Sequence, residues 1–209
     1  MPKLILASSS PRRKEALSGL GLAYECLSPE VDESIHDHLP ARDRVLALAQ
    51  LKAETAAQGL RRGGPDEPEL LILAADTLVS LEPIPSPLPE GIRPDGVLGK
   101  PESRAEAKAM IEALEGRIHS VHTGLALLAL PSGRLETIIS TSRVEFAPLE
   151  SREVESYLEA GDWEGVAGAY RIQGRAALHI RAIEGSWSGI VGLPIHELYV
   201  ILKRLGFPL

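Results

Sequence analysis

Six charged residues in this 209-residue chain stand where apolar runs end or turn: Arg12, Arg13, Glu33, Lys52, Asp76 and Lys100. Two carboxylates among four cations form an inventory for phosphate chemistry. Hydrolysis of a phosphoanhydride calls for a divalent metal on hard oxygen ligands, cations to offset charge on the phosphate oxygens, and a base or metal to activate water. Asp76 and Glu33 can supply the oxygens. The cations can supply positioning and electrostatic stabilisation, which dominate such catalysis. The densest stretch is Leu4-Ile5-Leu6-Ala7-Ser8-Ser9-Ser10-Pro11-Arg12-Arg13-Lys14, an apolar strand running into three hydroxyls, a proline and three cations. Ser10 is placed to cap a helix, and Pro11 to take its first position, where a missing N–H costs nothing. Free amides and the helix dipole favour a phosphate there, and Arg12 and Arg13 can grip its oxygens bidentately. Three cations at a helix N-terminus oppose that dipole, a mismatch that an anion relieves. A surface helix with a basic first turn is the plainer alternative.

The elements that must position these residues can be read from periodicity and turn chemistry. The spacing predicts a strand over 3–7, a helix from Pro11 to Gly19 or Gly21, a short strand near 22–28, and a polar loop over 29–39. That loop holds Asp32, Glu33, His36, Asp37 and His38. Pro40 opens a long helix to about 61, in which Val45, Leu48, Ala49 and Lys52 fall near helical spacing. Lys52 then lies at the edge of the buried stripe, a position equally open to a snorkelling lysine. The run Leu-Leu-Ile-Leu-Ala-Ala within 69–81 reads as a central strand with Asp76 at its end. Pro83, Pro85, Pro87, Pro89 and Pro94 make 82–98 a loop leading to Gly99-Lys100-Pro101. Ser103-Arg104-Ala105-Glu106 has the form of a capping box for a helix that Gly116 stops. Strands near 118–130 and 134–146 form a hairpin through Pro131-Ser132-Gly133. A helix over 151–160, a glycine-studded segment holding Tyr170 and Gln173, a strand near 176–183, a loop over 185–192 and a helix from Pro194 to about Leu205 complete the chain. Interleaved strands and helices with one hairpin favour an α/β or α+β fold with a mixed sheet, and the length suits a single domain over 1–209.

Composition narrows the partners. A net charge of −7 and eight aromatic residues argue against a broad nucleic-acid surface, which needs many cations and stacking platforms. No apolar run reaches the roughly 18 residues of a membrane span, and no signal-peptide pattern opens the chain, so a cytoplasmic location is expected. The single Cys26 cannot form an internal disulfide and reads as a small packed apolar side chain. Neither a Gly-x-x-x-x-Gly-Lys-Ser/Thr loop nor a Gly-x-Gly-x-x-Gly fingerprint is present. Gly185-Ser186-Trp187-Ser188-Gly189 has the outline of a nucleophile elbow, but Trp187 sits at its centre. His119 and His122 fall on opposite faces of their strand and read as core or edge histidines, and His36 and His38 read as part of a solvated acidic loop.

Set in order, the motifs are Ala7-Ser8-Ser9-Ser10-Pro11-Arg12-Arg13, Val31-Asp32-Glu33, Leu51-Lys52-Ala53, Ala75-Asp76-Thr77, Gly99-Lys100-Pro101, His119-x-Val121-x-Thr123-Gly124, Ala167-Gly168-Ala169-Tyr170-x-Ile172-Gln173-Gly174 and Val191-Gly192-Leu193-Pro194. This pattern resembles the Maf family of nucleoside triphosphate pyrophosphatases over essentially the whole chain. The resemblance implies a twisted mixed sheet flanked by helices, two lobes around a cleft as in inosine-triphosphate pyrophosphatases, and hydrolysis of a nucleotide to its monophosphate and pyrophosphate. It implies a homodimer and a divalent cation, Mg2+ or Mn2+, held by Asp76 and Glu33, with Asp76 accepting a proton from the attacking water. It also implies that Arg13, Lys52 and Lys100 bind the triphosphate, assisted by Ser8 and Ser10. At three selectivity positions, Arg12, Thr77 and Gln173, the chain is similar to the branch acting on dTTP and UTP. Two departures stand out: Val166 replaces a Lys common in the family, and the 82–98 loop is longer than usual. The rival reading is a nucleotide-binding regulator of cell division or septum formation with little turnover.

Overall fold

The computed structural model describes residues 2–60, 69–88 and 92–208. Residue 61, where the long helix was expected to end, and Pro89 lie outside these. The elements are β1 (Lys3–Leu6), α1 (Pro11–Gly19), β2 (Tyr24–Cys26), a 3-10 turn at Glu33–His36, α2 (Ala41–Leu60), β3 (Leu70–Ser80), β4 (Val97–Leu98), α3 (Arg104–Leu114), β5 (Ile118–Leu130), β6 (Leu135–Phe146), α4 (Ser151–Glu159), 3-10 turns at Ala167–Ala169 and Arg175–His179, β7 (Ile180–Glu184), α5 (Trp187–Val191) and α6 (Ile195–Arg204). Among the described residues the strands form a mixed sheet in the order β2-β1-β3-β5-β6-β7, with β4 paired to β3. β1 runs parallel to β2 and β3, whereas β4 is antiparallel to β3 and β7 to β6. None of the described helices is long and apolar enough to cross a membrane.

Two compact units emerge: Met1–Asp76 with Thr123–Ser140 and Gly192–Leu209, and Thr77–His122 with Thr141–Val191. In the first unit, strand side chains alternate between two cores. Leu4, Leu6, Leu71, Leu73, Leu125 and Leu127 pack with Leu17 of α1 and Leu198, Ile201 and Leu202 of α6. Their neighbours Ile5, Ile72, Ala74, Ala126 and Leu128 pack on Ala49, Ala53, Ala56 and Ala57 of α2. Because both faces are covered, the strands read as continuous apolar runs instead of alternating ones. Each buried leucine contributes about 1.5–3 kcal/mol relative to exposure. The alanine face of α2 lets backbone approach backbone, and a Cβ at Gly124 would lie 2.5 Å from the Val45 carbonyl oxygen. Only glycine fits there.

In the second unit Val79, Leu81, Val121, Val144 and Phe146 pack against Ala107, Met110, Ile111 and Leu114 of α3 and Val154, Tyr157 and Leu158 of α4. Ser103 caps α3 by accepting the Glu106 amide at 3.2 Å, but the Glu106 carboxylate accepts from the Glu102 amide, so the expected capping box closes one residue early. His119 is fully buried in this core, its Nε2 2.8 Å from the Tyr170 hydroxyl. Burial lowers its pKa from 6.5 to about 3. Below pH 6.5 the unfolded chain therefore binds a proton that the folded chain refuses. Stability is intact above that pH and is lost as pH falls toward 3, by about 2–3 kcal/mol at pH 4.5. Denaturant unfolding of the wild type and His119→Gln at pH 7 and 4.5 checks this: the variant is expected to lose less between the two, and an equal loss would refute it.

Several local expectations are corrected. The 29–39 loop contains the 3-10 turn at Glu33–His36, and the 82–98 loop contains β4. The strand expected near 176–183 begins as a 3-10 turn, and α5 occupies part of the 185–192 loop. Asp76 lies inside β3, which continues to Ser80 and pairs with β4 at Val79 and Ser80. Cys26 is exposed, since β2 is an edge strand of three residues. His119 and His122 are buried, as expected for core histidines.

Candidate active site

Period-two alternation carries the α2-facing side of β3 from Ile72 and Ala74 to Asp76. Lys52 lies on α2 beside Ala49 and Ala53, which pack on that same side. Its Nζ donates to Asp76 Oδ1 at 2.5 Å and pairs with Glu33 Oε1 at 2.6 Å. The Asp76 and Lys52 side chains are 10% and 13% exposed, while that of Glu33 is 48% exposed. The ammonium is thus paired within the protein, which removes the snorkelling alternative. Buried charges persist only when paired, and Lys52 satisfies both carboxylates at once. Two carboxylates aimed at one cationic atom are hard oxygen donors of the kind a divalent ion takes. No cluster of three or more His, Cys, Asp or Glu set for a metal occurs among the described residues.

The serine-rich turn is built differently from the expectation. Ser10 is the N-cap of α1 but makes no side-chain cap bond. Ser8 takes the central position: its buried hydroxyl oxygen accepts from the Ser10 amide at 3.2 Å and from Arg13 NH1 at 3.1 Å. Arg13 Nε donates to the Gly192 carbonyl at 2.8 Å. The guanidinium is therefore fixed from two sides. Burial lowers the Arg13 pKa from its usual value, opposed by the charges of Asp76 and Glu33 and reinforced by Arg12. Arg13 thus shares its electrostatic environment with both carboxylates. Arg12 is half-buried on the same first turn.

The second unit holds the other expected residues. Thr77 is half-buried and points to the opposite face of β3 from Asp76. Lys100 is exposed, with no ion pair among the described residues. Its loop is anchored where the Gly168 amide donates to the Gly99 carbonyl at 3.0 Å. Gly168 adopts φ +68°, and a Cβ there would meet Val79 side-chain atoms at 3.0–3.1 Å, so the Ala-Gly-Ala turn requires glycine. Val166 is 3% exposed, a core position that suits valine and would bury a lysine. Gln173 is exposed beside the buried Ile172.

Two arrangements escaped the sequence. In the second unit, His122 Nδ1 lies 3.0 Å from Thr141 Oγ1 and its Nε2 3.2 Å from both Ser80 Oγ and Glu82 Oε1. In the first, Arg44 of α2 is buried and paired with Asp37. The available signal for the latter was an arginine one turn before Leu48 on the apolar stripe.

A family model described as Maf-like protein matches residues 3–205. A dTTP/UTP pyrophosphatase of Moorella thermoacetica is 40% identical over 206 residues, covering 99% of this chain and 96% of the relative. One of Treponema denticola is 40% identical over 207 residues, covering 99% and 98%. Among solved structures, a HAM1 protein from Coxiella burnetii matches 71% of this chain and 75% of its own at 20% identity, with a TM-score of 0.45. With the family model spanning almost its full length and relatives at this identity, the chain belongs to the Maf-like family.

Proposed function

We propose that this chain hydrolyses nucleoside triphosphates, dTTP and UTP foremost, to the monophosphate and pyrophosphate. The observation that carries this is the Lys52 ammonium held between Asp76 and Glu33, with Arg13 in the same electrostatic environment, in a family whose relatives above bear that activity in their names. Water attacks the α-phosphorus, its proton passes to Asp76 Oδ, and the bond to the bridging oxygen breaks so that the two terminal phosphates leave together. A divalent cation, when bound, offsets charge on the phosphate oxygens. Asp76 and Glu33 would hold it. Arg13, Lys52 and Lys100 bind phosphate oxygens, and Ser8 and Ser10 assist them at the start of α1. Arg12, Thr77 and Gln173 select the base: an amide at 173 offers a pyrimidine edge both donor and acceptor, where a carboxylate only accepts. The family resemblance supports a cytoplasmic homodimer, and the net charge of −7 speaks against a nucleic-acid partner.

The test is a panel of nucleoside triphosphates with Mg2+ or Mn2+, read as pyrophosphate and orthophosphate. Pyrophosphate from dTTP and UTP is the expected product, and Gln173→Glu is expected to lower kcat/KM for these two relative to the other nucleotides. Orthophosphate as the first product overturns the reaction. Tight binding without turnover would favour the regulator, and an unchanged ratio removes Gln173 from base selection.

A further inference from the structure

Glu33 stands on a 3-10 turn of four residues, Glu33–His36, too short to hold its own shape. The turn is tied down at both ends. At its start Asp32 Oδ1 accepts from the Ser34 amide at 3.0 Å and from the Ser34 hydroxyl at 2.6 Å. At its end Asp37 pairs with Arg44 NH2. Arg44 is 8% exposed and lies in the first turn of α2, where a cation opposes the helix dipole. Its Nε and NH1 have no hydrogen-bond partner among the described residues, so the pair with Asp37 is what compensates a buried guanidinium. A charge so buried fixes its counter-ion firmly. The Glu33–Lys52 contact, with Glu33 half in water, is of the weaker kind and holds the turn poorly alone.

We propose that Arg44 is a positioning residue for Glu33: its ion pair with Asp37 clamps the 3-10 turn to α2 and sets the carboxylate against Lys52 and Asp76. The same helix thus fixes the turn at Arg44 and receives Glu33 at Lys52, eight residues or about 12 Å further along. This role rests on the pyrophosphatase reading of the Asp76–Lys52–Glu33 group.

The experiment is a double-mutant cycle on the full chain. Arg44→Gln is expected to lower kcat for dTTP roughly ten- to a hundredfold, as misplacement of a catalytic group does, with KM within about twofold. In a Glu33→Gln background Arg44→Gln is expected to cost nothing further, and Arg44→Lys is expected to retain most activity. Hydrogen exchange in the protein without metal or nucleotide is expected to quicken at the amides of 34–37. Arg44→Met, which leaves no buried charge behind, gives the same kcat and exchange readouts if Arg44→Gln fails to fold. Equal losses in both backgrounds, or unchanged kcat with unchanged exchange, overturn the role. A wild type that releases no pyrophosphate overturns the pyrophosphatase reading and this role together. An active wild type matched by its Arg44→Gln variant overturns the role alone.

Discussion

Asp76→Asn is expected to lower kcat for pyrophosphate release by about 10²–10⁴-fold, the range that a positioned general base contributes. Asparagine keeps the shape and an oxygen for Lys52, but it cannot take a proton from water and is a poor ligand for a hard cation. The protein should still fold, because Glu33 remains 2.6 Å from the Lys52 ammonium and leaves it paired. Nucleotide binding, which rests on Arg and Lys contacts, should survive in part. Calorimetry of dTTP binding beside a pyrophosphate assay measures the two separately. Near-normal turnover by the variant would reduce Asp76 to a counter-ion for Lys52 and remove the base from the mechanism.

Arg13→Ala is expected to lower kcat/KM for dTTP by about 10²-fold, or roughly 2.7 kcal/mol, the scale of a lost charge-assisted contact. The guanidinium spends Nε on Gly192 and NH1 on Ser8, so part of the fork serves to aim the group. Arg13→Lys keeps the charge without that fork and should recover only part of the loss. Thermal melts with and without pyrophosphate separate binding from folding. Loss of the ligand-induced shift with a small change in the unliganded Tm supports the phosphate role. A large fall in the unliganded Tm with a normal shift would make Arg13 a structural tie between α1 and Gly192.

The long elements were legible because burial imposes a period on helices and a continuous apolar run on strands covered on both faces. Leu71 to Ala75 had to be a strand covered on both faces, and Val45, Leu48 and Ala49 had to face inward from a helix. The short ones carried no period. The five residues of Trp187–Val191, the 3-10 turns at Glu33–His36 and Arg175–His179 and the two-residue β4 are too brief for a pattern to differ from a loop. β3 runs on past Asp76 beside β5 and meets β4 at Val79 and Ser80, contacts no local spacing encodes. Cys26 was misjudged for a related reason: its environment depends on β2 lying at the sheet edge.

Residue types and their order set the kinds of chemistry available. They supplied paired carboxylates, cations at the ends of apolar runs, glycines where α2 meets β5 and where the Ala-Gly-Ala turn takes a left-handed backbone, and the family to which these belong. Which of these groups meet was decided by tertiary structure alone. Lys52 reaches Asp76 and Glu33 because α2 packs on the face of β3 that carries Asp76. Ser8, and not Ser10, orders the turn because Arg13 is drawn toward Gly192, far along the chain. Arg44 finds Asp37 only once α2 has buried it. Ion pairs and hydrogen bonds between distant residues depend on where packed surfaces bring their atoms, and linear spacing holds no record of that.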